Sequence, residues 1–152
     1  MELILAGVFP ALYEISYEHN KLFLQTGSPS MALYLQPDTL DDALSALADQ
    51  SLTVISGGTD YYPARVGKPI DDDILDISRI AGLRGITEAD DHFHFGASTS
   101  WTDIIEADLP PWFDGLKLAA REVGGVQIQN AGTIAGNFCN ASPAADGIPG
   151  LF

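Results

Sequence analysis

Basic side chains are scarce in this sequence: seven Lys plus Arg stand against 21 Asp plus Glu, a formal net charge of −14. Nucleic acids and anionic lipid surfaces both demand a basic footprint, so neither is expected as a partner. An anionic small-molecule cofactor is a different case, because backbone N–H groups can meet its charge locally. Cysteine is nearly missing as well. Cys139 stands alone, which leaves no intramolecular disulfide and no cysteine metal cluster, and predicts a reducing compartment, the cytoplasm. No apolar run is long enough to span a bilayer. The stretch Leu3 to Leu12 contains Pro10 and lacks the positive n-region and small cleavage-site residues of an export signal. Two common phosphate motifs are also absent. Gly67-Lys68-Pro69 fails the Walker pattern, and no Gly-x-Gly-x-x-Gly precedes a helix.

What is present suits one globular domain of 152 residues, 46% hydrophobic and 18% charged. Residues 1–30 read differently from the rest, and an extension, a leader and a strand packed on the body all remain open for them. From Met31 the pattern is regular. Ala32 to Leu35 is a short apolar run ending at Pro37. Asp38-Thr39-Leu40-Asp41-Asp42 is a helix start, a capping side chain followed by acids at the positive end of the helix dipole. Leu40, Ala43, Leu44 and Leu47 follow at helical spacing and predict one buried face. Leu52 to Ile55 and Asp73 to Ile77 read as strands of a small parallel sheet.

Leu83–Glu88 and His92–Gly96 read as a hairpin across Ala89-Asp90-Asp91, with Phe93 and Phe95 on one face. Thr102 is the expected cap of a short helix through Glu106. Trp112 to Val123 reads as another helix, burying Trp112, Leu116 and Ala119 or Ala120, with Gly124-Gly125 as its stop.

Two segments carry chemistry. Ser56-Gly57-Gly58-Thr59-Asp60 follows a buried strand. Paired glycines reach positive φ and let a ligand approach without a Cβ in the way, and successive N–H groups in such a turn converge on an anion. By itself so short a match is more often an ordinary tight turn between elements. The second segment, Gln127 to Asp146, is rich in Asn, Gly, Ala, Ser and Thr and uncharged until Asp146. It shows no helical or strand period, so a long ligand-binding loop is expected there.

Other residues carry plainer readings. His92 and His94 share a strand face, but two ligands do not make a zinc site, and no metal is expected. Cys139 is expected as a small buried side chain. Asp71-Asp72-Asp73 lacks the EF-hand spacing and reads as a solvated loop. Trp101 and Trp112 read as core or interface residues.

Taken together, these segments resemble the FAD-binding subunits of the xanthine dehydrogenase and carbon monoxide dehydrogenase family. The resemblance begins at Tyr34-Leu35-Gln36-Pro37 and takes in Val54 to Asp60, Ile74-Leu75-Asp76-Ile77-Ser78-Arg79-Ile80, Leu83 to Ile86 and Phe95 to Ser100. Its most specific part is Gln127 to Asn137, continuing through Asn140-Ala141-Ser142-Pro143-Ala144-Ala145-Asp146. It covers residues 32 to 150 and implies an α+β fold of two lobes with FAD between them. Residues 31–80 would form an N-terminal βαβ lobe and residues 81–152 an incomplete second lobe.

The resemblance also implies site residues. Ser56, Gly57, Gly58, Thr59 and Asp60 would hold the pyrophosphate, with Val54 and Ile55 leading in and Tyr61 approaching the flavin. Thr133, Ala135, Gly136 and Asn137 would contact the pyrophosphate and ribityl region, and Asp146 would accept from sugar hydroxyls. No residue is expected to act as a general acid or base. Electrons would arrive from a molybdenum centre and [2Fe-2S] clusters on partner subunits, an iron–sulfur subunit and a large molybdopterin subunit, and leave to NAD or another acceptor.

Two departures stand out. Ala135 takes the place of a usual glycine, and the family domain continues past the position of Phe152, so a chain cut short is expected. A remnant without useful FAD affinity and an independent flavin oxidase of the same fold are the rival readings.

Overall fold

The structure is a computed structural model that describes residues 14–18, 21–25, 32–141 and 147. Its larger sheet has five strands: β1 (Glu14–Glu18), β2 (Lys21–Gln25), β3 (Ala32–Leu35), β4 (Thr53–Ile55) and β5 (Ile74–Asp76), in the spatial order β1-β2-β3-β5-β4. The first three pair antiparallel, while β5 lies parallel to both β3 and β4, with Tyr34 opposite Ile74 and Ile55 opposite Asp76. The expected βαβ arrangement is therefore present. Of the alternatives for residues 1–30, strand structure holds for β1 and β2.

Helix α1 (Leu40–Asp49) crosses from β3 to β4. Thr39 caps it, its hydroxyl accepting from Asp42 N at 3.2 Å, with Asp41 and Asp42 in the first turn. Its buried face differs from the expected one. Ala43 is 2% exposed, whereas Leu40, Leu44 and Leu47 are 48%, 54% and 40% exposed. The helix turns its small residues to the sheet: Ala43 packs with Leu75 and Ile80, and Ala46 and Leu35 join them. An alanine face allows close approach, and this rotation carries the leucines outward.

A second, smaller sheet pairs β6 (Ile86–Glu88) with β7 (Phe93–Phe95) antiparallel, Ile86 opposite Phe95. Phe93 and Phe95 share a half-buried face, and the Phe113 ring meets them at 5.1 and 5.5 Å. Helix α2 (Trp101–Glu106) is capped by Ser100, not Thr102. Ser100 Oγ accepts from Asp103 N while the Asp103 carboxylate accepts from Ser100 N, a reciprocal box that Thr102 cannot make from inside the first turn.

The helix expected from Trp112 is also corrected. Pro111–Phe113 forms a 3-10 turn that sends Phe113 inward and leaves Trp112 75% exposed; α3 (Asp114–Glu122) begins only after it. Trp101, in contrast, is fully buried with Ile104, Leu116, Ala120, Val123 and Ile134. The two lobes thus have separate cores, one under the parallel strands and one around Trp101.

Over its described residues, the segment expected as a long loop holds two short helices, α4 (Val126–Ala131) and α5 (Ile134–Asn140). Tertiary hydrogen bonds hold it. Trp101 N donates to Gly132 O at 3.2 Å, Ile134 N to Thr99 O at 2.9 Å and Ala135 N to Ala97 O at 3.3 Å. Cys139, expected buried, is exposed on α5. The Asp71–Asp73 turn is pinned rather than simply solvated, because Asp73 Oδ1 accepts from Leu33 N at 2.7 Å and Asp72 is ion-paired to Arg65.

Candidate functional site

The end of β4 and the α4–α5 junction meet at a seam with no room for a side chain. A Cβ on Gly57 would fall 1.8 Å from the Ala131 carbonyl oxygen, and one on Gly132 would fall 3.3 Å from Thr59 Oγ1. Ser56 Oγ donates to Ser98 Oγ at 3.0 Å, tying the same turn to the second lobe. Beside the seam runs an open groove of about 490 Å³. Its lining takes in every residue from Val54 to Tyr61, and from the other lobe Thr133, Gly136 and Asn137. Twelve of the thirteen residues named from the sequence are described, and eleven of these share this groove. Ala135 lies off the lining, its N–H bound to Ala97 O. Asp146 lies outside the described residues.

The two walls differ in their backbone. In the first loop Gly58 sits at φ +65°, the left-handed region that favours glycine. Among the described residues no backbone carbonyl accepts from the N–H groups of Gly57, Gly58, Thr59 or Asp60. A run of unclaimed N–H groups around a left-handed residue is a nest that suits an anion. In the second motif the N–H groups are taken. Beyond those of Ile134 and Ala135, Gly136 N donates to Thr133 Oγ1 at 3.2 Å and Asn137 N to Thr133 O at 3.0 Å. That wall offers side chains instead. Asn137 Oδ1 is buried without a hydrogen-bond partner among the described residues, and a buried acceptor left so calls for a donor.

Several lining residues were missed by sequence reasoning. Trp101, Val123 and Ile128 supply the apolar part of the wall, with Cys139 and Asn140 at the α5 end. Arg65 is the one cation among the described lining residues, and it is engaged with Asp72. Tyr61 donates to Asp72 Oδ2 at 2.7 Å, and burial together with that bond pushes its phenol up to about 12. The hydrogen bonds from Tyr61 and Arg65 hold the Asp72 carboxyl below its ordinary range.

Below the loop, the buried Asp76 accepts from Tyr34 Oη, from Gln36 Nε2 at 2.9 Å and from Ser78 N at 2.9 Å. Burial, then Asp76, raises the Tyr34 phenol. These residues fall in two of the segments that carried the family resemblance, and the structure joins them at the paired ends of β3 and β5. The His92 ring meets its neighbour Asp91 at 2.6 Å, and among the described residues no three His, Cys, Asp or Glu side chains gather. Among the described residues no helix is long and apolar enough to cross a membrane.

Two lobes with separate cores, a glycine nest on one and a small-residue wall on the other, define a binding domain for an extended anionic cofactor. Comparison with known proteins narrows this class. Residues 26–152 match the family model for the FAD binding domain in molybdopterin dehydrogenase. The xanthine dehydrogenase FAD-binding subunit of Escherichia coli O157:H7 is 36% identical over 124 residues, 76% of this chain and 41% of that protein. The nicotinate dehydrogenase FAD-subunit of Eubacterium barkeri is 33% identical over 125 residues, 78% of this chain and 42% of that protein.

Among solved structures, reconstituted CO dehydrogenase from Oligotropha carboxidovorans matches with TM-score 0.66 and 25% identity, over 75% of this chain and 41% of that one. The carbon monoxide dehydrogenase of Hydrogenophaga pseudoflava matches with TM-score 0.62 and 28% identity, over 72% and 40%. The chain belongs to the family of FAD-binding domains of molybdopterin dehydrogenases. It spans about two fifths of the length of these relatives.

Proposed function

We propose that the chain binds FAD in the groove between its two lobes, as part of the electron-transfer subunit of a molybdopterin-dependent hydroxylase or dehydrogenase. The observation that carries this reading is the set of unclaimed N–H groups from Gly57 to Asp60, facing Thr133, Gly136 and Asn137 across one groove. Those N–H groups suit the diphosphate, and they explain how a protein of charge −14 holds a dianion. Thr133 and the buried Asn137 Oδ1 suit the hydroxyls of the ribityl chain. Gly136 keeps that wall low; a Cβ there would lie 2.8 Å from Thr133 Oγ1. Val54, half exposed on the groove, and the buried Ile55 fix the loop to the sheet. Asp146 is proposed as an acceptor for sugar hydroxyls.

When bound, the flavin supplies the redox chemistry; the chain supplies position, electrostatics and exclusion of water. No side chain of the groove is assigned a proton transfer. Electrons are proposed to reach the flavin from [2Fe-2S] clusters on an iron–sulfur subunit, which receives them from a large molybdopterin subunit, and to pass to NAD or another acceptor. The relatives' names, which include dehydrogenase FAD subunits, support this assignment. The cytoplasm is its proposed location.

Desalted protein titrated with FAD tests the binding step. Flavin absorption that stays with the protein supports it, and a colourless protein that takes up no flavin supports the remnant reading. Co-purification with iron–sulfur and molybdopterin subunits tests the assembly, and its absence in a chain that holds FAD favours the independent oxidase.

A further inference from the structure

A Gly-Gly turn has no intrinsic preference for holding its N–H groups on one side, since glycine loses more conformational freedom on ordering than any other residue. Something outside the turn must fix it. Its first half is fixed by β4, paired to β5, and by the seam against Ala131. Its second half leads into the 3-10 turn Pro63–Arg65 and is met by Asp72, eleven residues beyond Tyr61. A single carboxylate oxygen, Asp72 Oδ2, accepts from Tyr61 Oη at 2.7 Å and from Arg65 Nε at 2.9 Å, and is ion-paired to Arg65 Nη2 at 2.8 Å. The guanidinium carbon lies 3.7 Å from the Tyr61 ring centre, and Nη1 donates back to Tyr61 O at 3.2 Å. Asp72 is itself anchored: the adjacent Asp73 accepts from Leu33 N through its side chain and from Thr53 N through its carbonyl, one contact to β3 and one to β4. Tyr61 and Arg65 line the groove; Asp72 does not.

We propose that Asp72 is a positioning residue for the cofactor groove, acting through Arg65 and Tyr61 to keep the N–H groups of Gly57 to Asp60 aimed at one ligand. The carboxylate has a second effect. By pairing with Arg65, a cation of the groove lining, it keeps the guanidinium folded over Tyr61 and leaves the anion to the backbone. The ion pair is 31% and 40% exposed at its two side chains, so its worth to global stability is small and its effect is local. The inference rests on FAD being the ligand of the groove, and the experiment separates the two claims.

The test compares the full chain with Asp72→Ala, Asp72→Glu and Tyr61→Phe by FAD titration, thermal melting and amide hydrogen exchange. Asp72→Ala is expected to raise the FAD dissociation constant about tenfold, with Asp72→Glu recovering most of the loss, because a charge-assisted contact is removed and then restored. In the free protein, protection should fall at Tyr62, Ala64 and Arg65, whose N–H groups donate to Gly58 O, Asp60 O and Tyr62 O, and stay unchanged at the Trp101 core. Tyr61→Phe removes one contact of the set and serves if Asp72→Ala fails to fold; it should weaken FAD about threefold. Wild-type affinity in all three variants, or exchange at Tyr62, Ala64 and Arg65 identical to wild type, overturns the proposal. A uniform loss of protection and melting temperature also overturns it, since that marks a structural role alone. If the wild-type chain takes up no FAD, the ligand assignment fails while the exchange at Tyr62, Ala64 and Arg65 still decides whether Asp72 holds the loop.

Discussion

The two walls of the groove reach a similar end by opposite means. The first loop leaves its N–H groups unclaimed and reaches φ +65° at Gly58, so its donors are free for a ligand and its backbone is costly to hold. The second motif spends its N–H groups on Thr99, Ala97 and Thr133, so it is rigid before any ligand arrives and presents side chains. One wall is an array of free donors; the other is a fixed surface with a buried acceptor, Asn137 Oδ1, that has no partner among the described residues. The same residue type, glycine, therefore serves different ends: freedom of φ at Gly58, bare proximity at Gly57 and Gly132.

Substitutions sharpen the contrast. The largest effect is expected at Gly57→Ala, where the new methyl would fall 1.8 Å from a backbone oxygen that cannot move alone. The lobes must part at the seam, at a cost of about 2–3 kcal/mol, and FAD uptake should vanish. Thermal melts with a flavin titration measure both.

Gly58→Ala comes next. Its φ is left-handed and its methyl would meet the Tyr62 ring at 2.6 Å, but a ring at the surface can swing aside. The remaining backbone strain of about 1–2 kcal/mol should appear mainly as a roughly tenfold loss of FAD affinity.

On the opposite wall the signs should separate. Asn137→Ala removes a buried acceptor that has no partner among the described residues. The melting temperature of the free chain should hold or rise, while FAD affinity falls about threefold to tenfold.

The smallest effect is in pH. Tyr61 has a raised pKa in the folded chain, so the stability it adds is complete below its ordinary value of 10.0 and is lost as pH climbs toward about 12. Asp72 is lowered, so its share is present above 3.8 and is lost only as pH falls through its depressed value. Denaturation midpoints should stay flat between these limits and fall above pH 10. Tyr61→Phe should lessen the alkaline fall; Tyr34, raised in the same direction, accounts for part of what remains.

How much of this was legible in the sequence follows the same division. The first loop was readable because its cause is local: a short apolar strand, then two glycines, then hydroxyl and acid. The parallel strands and the Phe93–Phe95 hairpin were readable from short alternations and turn residues. The second motif was recognisable as a pattern but not as structure. Nothing in Gln127 to Asn140 has helical period, and its helices exist because Ala97, Thr99 and Trp101 supply partners some thirty positions away.

The leucine face of α1 misled for a related reason. Periodicity marks an apolar stripe, and the sheet took the alanine beside it. Trp112 was lost to a proline-set 3-10 turn that exchanges it for Phe113. Tyr34 with Asp76 and Arg65 with Asp72 were invisible as pairs, because ordinary polar residues signal nothing until folding brings them together.

The difference between the walls can be read amide by amide. Hydrogen exchange of the full chain with and without FAD should find residues 134–137 protected in both states, and residues 57–60 exposed in the free chain and protected with FAD. New protection confined to 134–137, with 57–60 unchanged, would contradict the account.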